Sequence, residues 1–127
     1  MILGIGVDIV EVDRIRKAHE QFGERFLREI LLEAEIAYCL TYRDPAPSLA
    51  VRFAAKEAIS KAFGTGIGAN LGWHDMEIAR RESGAPYVVL HGAGQVLFEH
   101  RHAAAIHLSL SHTALYAVAQ VVLEGQS

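Results

Sequence analysis

The stretch "ILGIGVDIV", residues 2–10, limits what this chain can fold into more than any other segment. Alternation places Leu3, Ile5, Val7 and Ile9 on one side of a strand and Gly4, Gly6 and Asp8 on the other. The run reads as a buried strand. Its glycine side is stripped of bulk, so another backbone can approach it closely and meet Asp8 at the end of the row. A carboxylate in so apolar a strand is unfavourable unless it is paired, hydrogen-bonded or bound to a cation. A helix N-cap or a salt bridge just past the strand would also satisfy it, and the strand alone does not choose between these roles.

The natural partner for that strand is the helix expected over roughly residues 48–63, which contains "RFAAKEAISKAF". Lys61 follows Glu57 by one turn, and Ala50, Phe53 and Ala54 share the same side, so the face is flanked mainly by small side chains. Packed against Gly4 and Gly6, it would bring Asp8 and Glu57 together as two hard oxygen ligands. Two carboxylates plus waters form an incomplete magnesium site, of the sort that substrate phosphates complete. Without a cation the two acids repel unless Lys56 or Lys61 neutralises them. The plainer alternative for Glu57 and Lys61 is an ordinary i, i+4 ion pair worth about 0.2–0.5 kcal/mol. The following "GTGIG" matches neither phosphate-loop template: it follows a helix instead of a strand and lacks Gly-Lys-Ser/Thr. Gly64 reads as a C-cap, and a helix C-terminus repels anions.

A first helix is expected from about Asp13 to Phe22, stopped by Gly23. Ile15, Ala18, Phe22 and Phe26 form an apolar stripe; Arg14, Lys17, Gln21, Arg25 and Arg28 form a second stripe beside it. Between Arg14 and Arg28 five basic residues stand against two acidic ones, on a chain of net charge −3. Such a patch suggests a specific acidic partner, with a solvated helix face as the plain alternative. "LLEAEIAYCL" suggests a short helix and "RDPAPS" a loop. "DMEIARR", "PYVVLHG", "AIHLSLS" and "ALYAVAQVVLE" read as strands, "ESGAP" as a hairpin turn between the first two, and "AGQVLFEHRH" as a helix between the pairs. That order defines an α+β fold with a largely antiparallel sheet packed on a long central helix, in a single domain over residues 1–127.

Composition excludes several classes. Hydrophobic residues make up 51% and charged residues 21%, and no apolar run approaches the roughly 20 residues that span a bilayer. The negative net charge argues against a general nucleic-acid binder. The apolar start has no basic region before it and meets Asp8 and Glu11 early, unlike a signal peptide. Cys39 is alone, so no internal disulfide forms and a reducing cytoplasm is the expected location. In "HLSLSHT", Ser111 and His112 are strand neighbours and point to opposite faces, which argues against a nucleophile–base dyad. His112 can bind an anion, relay a proton or simply stabilise a turn. "HRH", residues 100–102, reads as surface.

Three segments, "GIGVDIVEVDRI", "RFAAKEAISKAFGTGIG" and "LSLSHT", in this order and spacing, closely resemble bacterial holo-[acyl-carrier-protein] synthases, a family of 4′-phosphopantetheinyl transferases. The resemblance covers nearly the whole chain. It implies transfer of 4′-phosphopantetheine from coenzyme A to a serine of apo acyl carrier protein, with release of adenosine 3′,5′-bisphosphate. Asp8 and Glu57 match the family's magnesium ligands, with manganese as an alternative ion. Glu57, directly or through a water, is the candidate base, and Lys61 would stabilise charge on the pyrophosphate. Arg52, Lys56, Lys61, Gly64, Thr65, Gly66, His112 and Thr113 are the implied coenzyme-binding set. Arg14, Lys17, Arg25 and Arg28 would dock the acidic carrier protein. The family's short members are homotrimers with active sites between subunits. A different magnesium-dependent phosphoryl enzyme would share the metal site without needing the basic face, and a non-catalytic binding module would need neither Glu57 nor Lys61 for chemistry.

Overall fold

The computed structural model describes residues 1–127 throughout. Strand β1 (Ile2–Glu11) leads into four helices: α1 (Val12–Phe22), α2 (Glu24–Ile30), α3 (Glu33–Cys39) and α4 (Ala46–Phe63). A 3-10 turn at Trp73–Asp75 precedes the hairpin of β2 (Met76–Arg80) and β3 (Pro86–Leu90), then α5 (Gly92–His100), β4 (Ala103–His112) and β5 (Tyr116–Gly125). The fold is α+β and antiparallel, as expected. Its strands are divided between a three-stranded sheet in the order β1-β5-β4 and the separate β2-β3 pair.

Helix α4 organises the molecule. It is rich in alanine and contains no run of β-branched residues, which favours the helical backbone. It starts at Ala46, two residues before the expected position, because Pro47 lies in the first turn, where a missing N–H removes no intrahelical bond. The Asp44 carboxylate accepts the Ala46 N–H at 3.2 Å and so caps that turn. Gly64, with φ of 77°, ends the helix in the left-handed conformation. Leu49, Ala50, Ala54, Ala55, Ala58 and Ile59 are fully buried, with Ala117, Ala119 and Leu123 of β5 in the same core.

The close contact between β1 and α4 depends on glycine. A Cβ placed on Gly4 would sit 1.9 Å from the Ala62 carbonyl oxygen, and one on Gly6 1.9 Å from that of Ala58. No side chain fits at either position, and the strand lies almost directly on the helix backbone. The glycine side of β1 meets α4 as expected, but the strand expected to be buried is covered on that side only: Ile5, Val7 and Ile9 are 64%, 58% and 65% exposed. Residues paired in register extend that outer face across Val118, Gln120 and Val122 of β5 to His107, Ser109 and Ser111 of β4. Nothing within one chain covers it.

Gly23, at φ 59° and ψ −138°, turns the chain between α1 and α2 and donates its N–H to the His19 carbonyl at 2.8 Å. Ile15 and Leu27 enter the core, while Phe22 is 51% exposed. The apolar stripe predicted for these helices is therefore only half buried.

Candidate active site

Asp8 lies on the helix-facing side of β1, paired in register with Ala119. Close packing of β1 on α4 carries its carboxylate to the exposed end of the helix face. There the Lys61 ammonium donates to Asp8 Oδ1 and to the Val7 carbonyl, each at 3.0 Å. Glu57 lies one turn before Lys61 on the same helix and is partly buried. Burial, and then the nearby Asp8 charge, raises the Glu57 pKa above its ordinary value, with Lys61 and Arg14 opposing the rise. Asp8, Glu57 and Lys61 thus form one electrostatically coupled cluster. Arg14 at the start of α1 lies within its field.

These donors suit a hard cation bound incompletely by protein. No group of three or more His, Cys, Asp or Glu side chains converges anywhere in the chain. Asp8 and Glu57 supply two carboxylates on a partly open face, leaving other positions for phosphate oxygens and water. Glu57 held near a second acid has the electrostatic signature of a site that a divalent cation relaxes.

The coenzyme-binding expectations fall into two groups. Arg52 is buried, donating through Nη1 to the Ser48 hydroxyl at 2.8 Å and carbonyl at 3.3 Å, while its Nε has no partner. Its guanidinium carbon is 4.6 Å from the centre of the Tyr38 ring, and that of Arg80 is 5.6 Å from the same ring. A cleft of about 360 Å³ opens beside them, lined by Glu35, Tyr38, Arg52, Glu77 and Arg80 among others. A neighbouring cleft of about 220 Å³ shares Arg80 and adds Tyr42, Ser48 and His112. Arg52, Arg80 and His112 thus share these clefts with the acids Glu35, Glu77 and Asp44, and the lining mixes cationic and anionic groups. Arg80, Tyr38 and Ser48 escaped the sequence reading, since a charged residue at a hairpin end and a tyrosine on a short helix carry no distinguishing pattern.

The other expected contacts are engaged elsewhere. Lys56 corrects the sequence reading: its ammonium is fully buried and donates to Glu35 Oε1 at 2.7 Å, the Ile30 carbonyl at 2.7 Å and the Trp73 carbonyl at 3.2 Å. One residue along a helix is a 100° rotation, so Lys56 and Glu57 diverge. The Gly64, Thr65 and Gly66 amides close back onto α4, donating to Lys61 at 3.0 Å and to Ser60 at 3.2 and 3.3 Å. They end the helix and do not present a free nest of N–H groups. The Thr113 hydroxyl accepts from the Leu115 and Tyr116 amides at 3.2 and 3.1 Å, shaping the turn from β4 to β5.

On the basic face, Lys17 pairs with Asp13 at 3.0 Å, and Arg28 pairs with Glu33 and with Glu24. Arg14 and Arg25 form no ion pair. Arg25 borders a groove of about 300 Å³ with Ala18, Phe22, Phe26 and Glu29, which gives this face an apolar centre that charge counting does not reveal.

A two-carboxylate, one-lysine cluster on a glycine-packed strand and helix is the kind of side-chain set that phosphoryl transfer uses. The comparisons narrow it. The family model of the 4′-phosphopantetheinyl transferase superfamily matches residues 4–120. The holo-[acyl-carrier-protein] synthase of Koribacter versatilis is 48% identical over 124 residues, spanning 98% of this chain and 99% of that protein. The crystal structure of the Neisseria meningitidis holo-[acyl-carrier-protein] synthase superposes with a TM-score of 0.92 at 35% identity, covering 98% of this chain and 99% of that one. That of the Helicobacter pylori enzyme, in complex with coenzyme A, gives 0.85 at 36%, covering 94% and 99%. The chain belongs to the holo-[acyl-carrier-protein] synthase family of 4′-phosphopantetheinyl transferases.

Proposed function

We propose that this chain transfers 4′-phosphopantetheine from coenzyme A to a serine hydroxyl of apo acyl carrier protein in a magnesium-dependent reaction, releasing adenosine 3′,5′-bisphosphate. The observation that carries the reading is the Asp8–Lys61–Glu57 cluster at the junction of β1 and α4. Coenzyme A bound to the Helicobacter pylori relative supports the donor. Asp8 and Glu57 would hold the magnesium or manganese ion, whose contribution when bound is to neutralise the donor's pyrophosphate and polarise its phosphorus.

The remaining chemistry falls to this chain's own side chains. The serine oxygen forms a new bond to the phosphorus that carries pantetheine, and the bridging P–O bond to the adenosine side breaks. Glu57, directly or through a water, is the candidate base for the serine proton. The half-exposed Lys61 ammonium faces the same space; it offsets charge growing on the leaving phosphate and can protonate it. Arg52, Arg80 and His112 are the cleft groups that would meet the adenosine phosphates. Arg14 and Arg25, with the Phe22–Phe26 groove, suit an acidic helical partner with an apolar ridge, and Lys17 and Arg28 add to the local field.

The uncovered face of β1 suits assembly into a homotrimer, which would set the clefts between neighbouring chains. No helix is long and apolar enough to cross a membrane, and the role proposed with the carrier-protein substrate is a cytoplasmic one in fatty acid biosynthesis. Intact mass of apo carrier protein after incubation with coenzyme A, magnesium and this chain tests the proposal. A phosphopantetheine-sized gain that chelation of divalent cations abolishes is expected. An unchanged mass under active-enzyme conditions would sink it.

A further inference from the structure

Lys56 and Glu35 form a closed polar joint at the centre of the molecule, with side chains 0% and 1% exposed. All three ammonium protons of Lys56 have acceptors. Glu35 Oε1 also accepts the Leu32 N–H, and Oε2 the Ile78 N–H, both at 2.9 Å. The joint therefore fastens five pieces of backbone together: the last residue of α2, the first turn of α3, α4, the turn at Trp73 and strand β2. Removing two charges from water makes such a pair a weak source of stability compared with apolar side chains of similar size. What it supplies is direction, because short charge-assisted hydrogen bonds hold their geometry tightly.

Two of the joined elements carry different halves of the proposed reaction. Helix α2 holds Arg25 and Arg28 on the carrier-docking face, while α4 holds Glu57 and Lys61. A displacement of about 1 Å between a docked nucleophile and its target lowers a rate by roughly 100-fold. We infer that the buried Lys56–Glu35 pair is a positioning pair, fixing α2 against α4 so that a docked carrier protein presents its serine to the Glu57–Lys61 face. The inference rests on the transferase reading above. Neither residue touches substrate. Glu35 and, on β2, Arg80 also border the cleft beside Arg52, so the pair's effect on the carrier's approach is read with coenzyme A saturating.

The test is the double variant Lys56→Met/Glu35→Gln, which removes both charges yet keeps a carbonyl acceptor for a backbone N–H. It is assayed at a temperature where circular dichroism shows it folded and at coenzyme A concentrations that calorimetry shows to saturate it. Its transfer rate at saturating apo carrier protein should fall at least tenfold. A rate within twofold of wild type under those conditions would overturn the inference, because the pair would then be structural only. A second measurement uses the unmodified chain: apo carrier protein should slow hydrogen exchange at the Leu32 and Ile78 amides at least tenfold, and no change at either would also overturn it. Absence of transfer by the wild-type chain would instead remove the functional reading itself.

Discussion

At the residue scale, the informative side chain is Glu57, a carboxylate kept where its charge is disfavoured. Burial and Asp8 raise its pKa, so the folded chain binds that proton more tightly than the unfolded chain does. Stability from this group is therefore fully present below the ordinary glutamate range and is lost as pH rises through the raised value. A divalent cation should reverse the loss. Glu57→Gln removes the titrating charge, and thermal melting should show the variant a few degrees more stable than wild type near neutral pH without metal. It should also show a smaller stabilisation by magnesium. Its transfer rate should fall by about 10²–10⁴-fold, the usual contribution of a positioned general base. An active variant would remove Glu57 from the chemistry. A variant whose melting point responds to magnesium as wild type does would remove it from the metal site.

At the element scale, the contact of β1 on α4 decides whether that site exists. Gly6→Ala puts a methyl carbon where the Ala58 carbonyl oxygen stands, and backbone must move to admit it. Overpacking of this kind costs about 1–3 kcal/mol, and chemical denaturation should record it. Lifting β1 also withdraws Asp8 from Lys61, so activity measured on the folded fraction should drop as well, unlike the result of an equal loss of stability elsewhere in the core. Docking belongs to this scale too. Lys17 and Arg28 are already paired with acids of their own helices or the next, whereas Arg14 and Arg25 are not. Arg25→Glu should raise KM for apo carrier protein more than Lys17→Glu, and added salt should narrow the gap between the two, since exposed charges are screened over a Debye length of about 8–10 Å. Equal effects would mean that only total charge matters. Much of this architecture was legible in the sequence. Alternation marked the strands, Gly23 and Gly64 marked helix ends, and small residues on two elements foretold their contact. That the opposite face of β1 lies open was not legible, because alternation groups residues by side and says nothing of what covers the second side. Lys56 was misplaced because it adjoins Glu57 in the chain, while the helix turns it toward Glu35, a residue 21 positions away. Arg80 gave no signal, since its neighbours Arg52 and Tyr38 converge on it only after the hairpin packs against α3 and α4.

For the whole molecule, the unexplained quantity is apolar surface. Ile5, Val7 and Ile9 lie in one row, each more than half exposed, on a strand whose other face is fully engaged. Contiguous apolar surface of this kind on a small chain marks an interface. His112 is exposed at the end of β4 and lines a cleft that is open to solvent. The homotrimer proposed here predicts that Val7→Lys, which puts a charge in the middle of the row and touches no core residue, leaves circular dichroism and monomer stability nearly unchanged. Exposed substitutions of this sort usually fall within about 0.5 kcal/mol. Light scattering should show its mass fall from three chains to one, and transfer should fall with it, with activity rising again at protein concentrations that force association. A wild-type chain that scatters as a monomer at concentrations where it transfers phosphopantetheine would overturn the assembly. The apolar row would then need a different occupant, and His112 would act in a cleft formed by one chain alone.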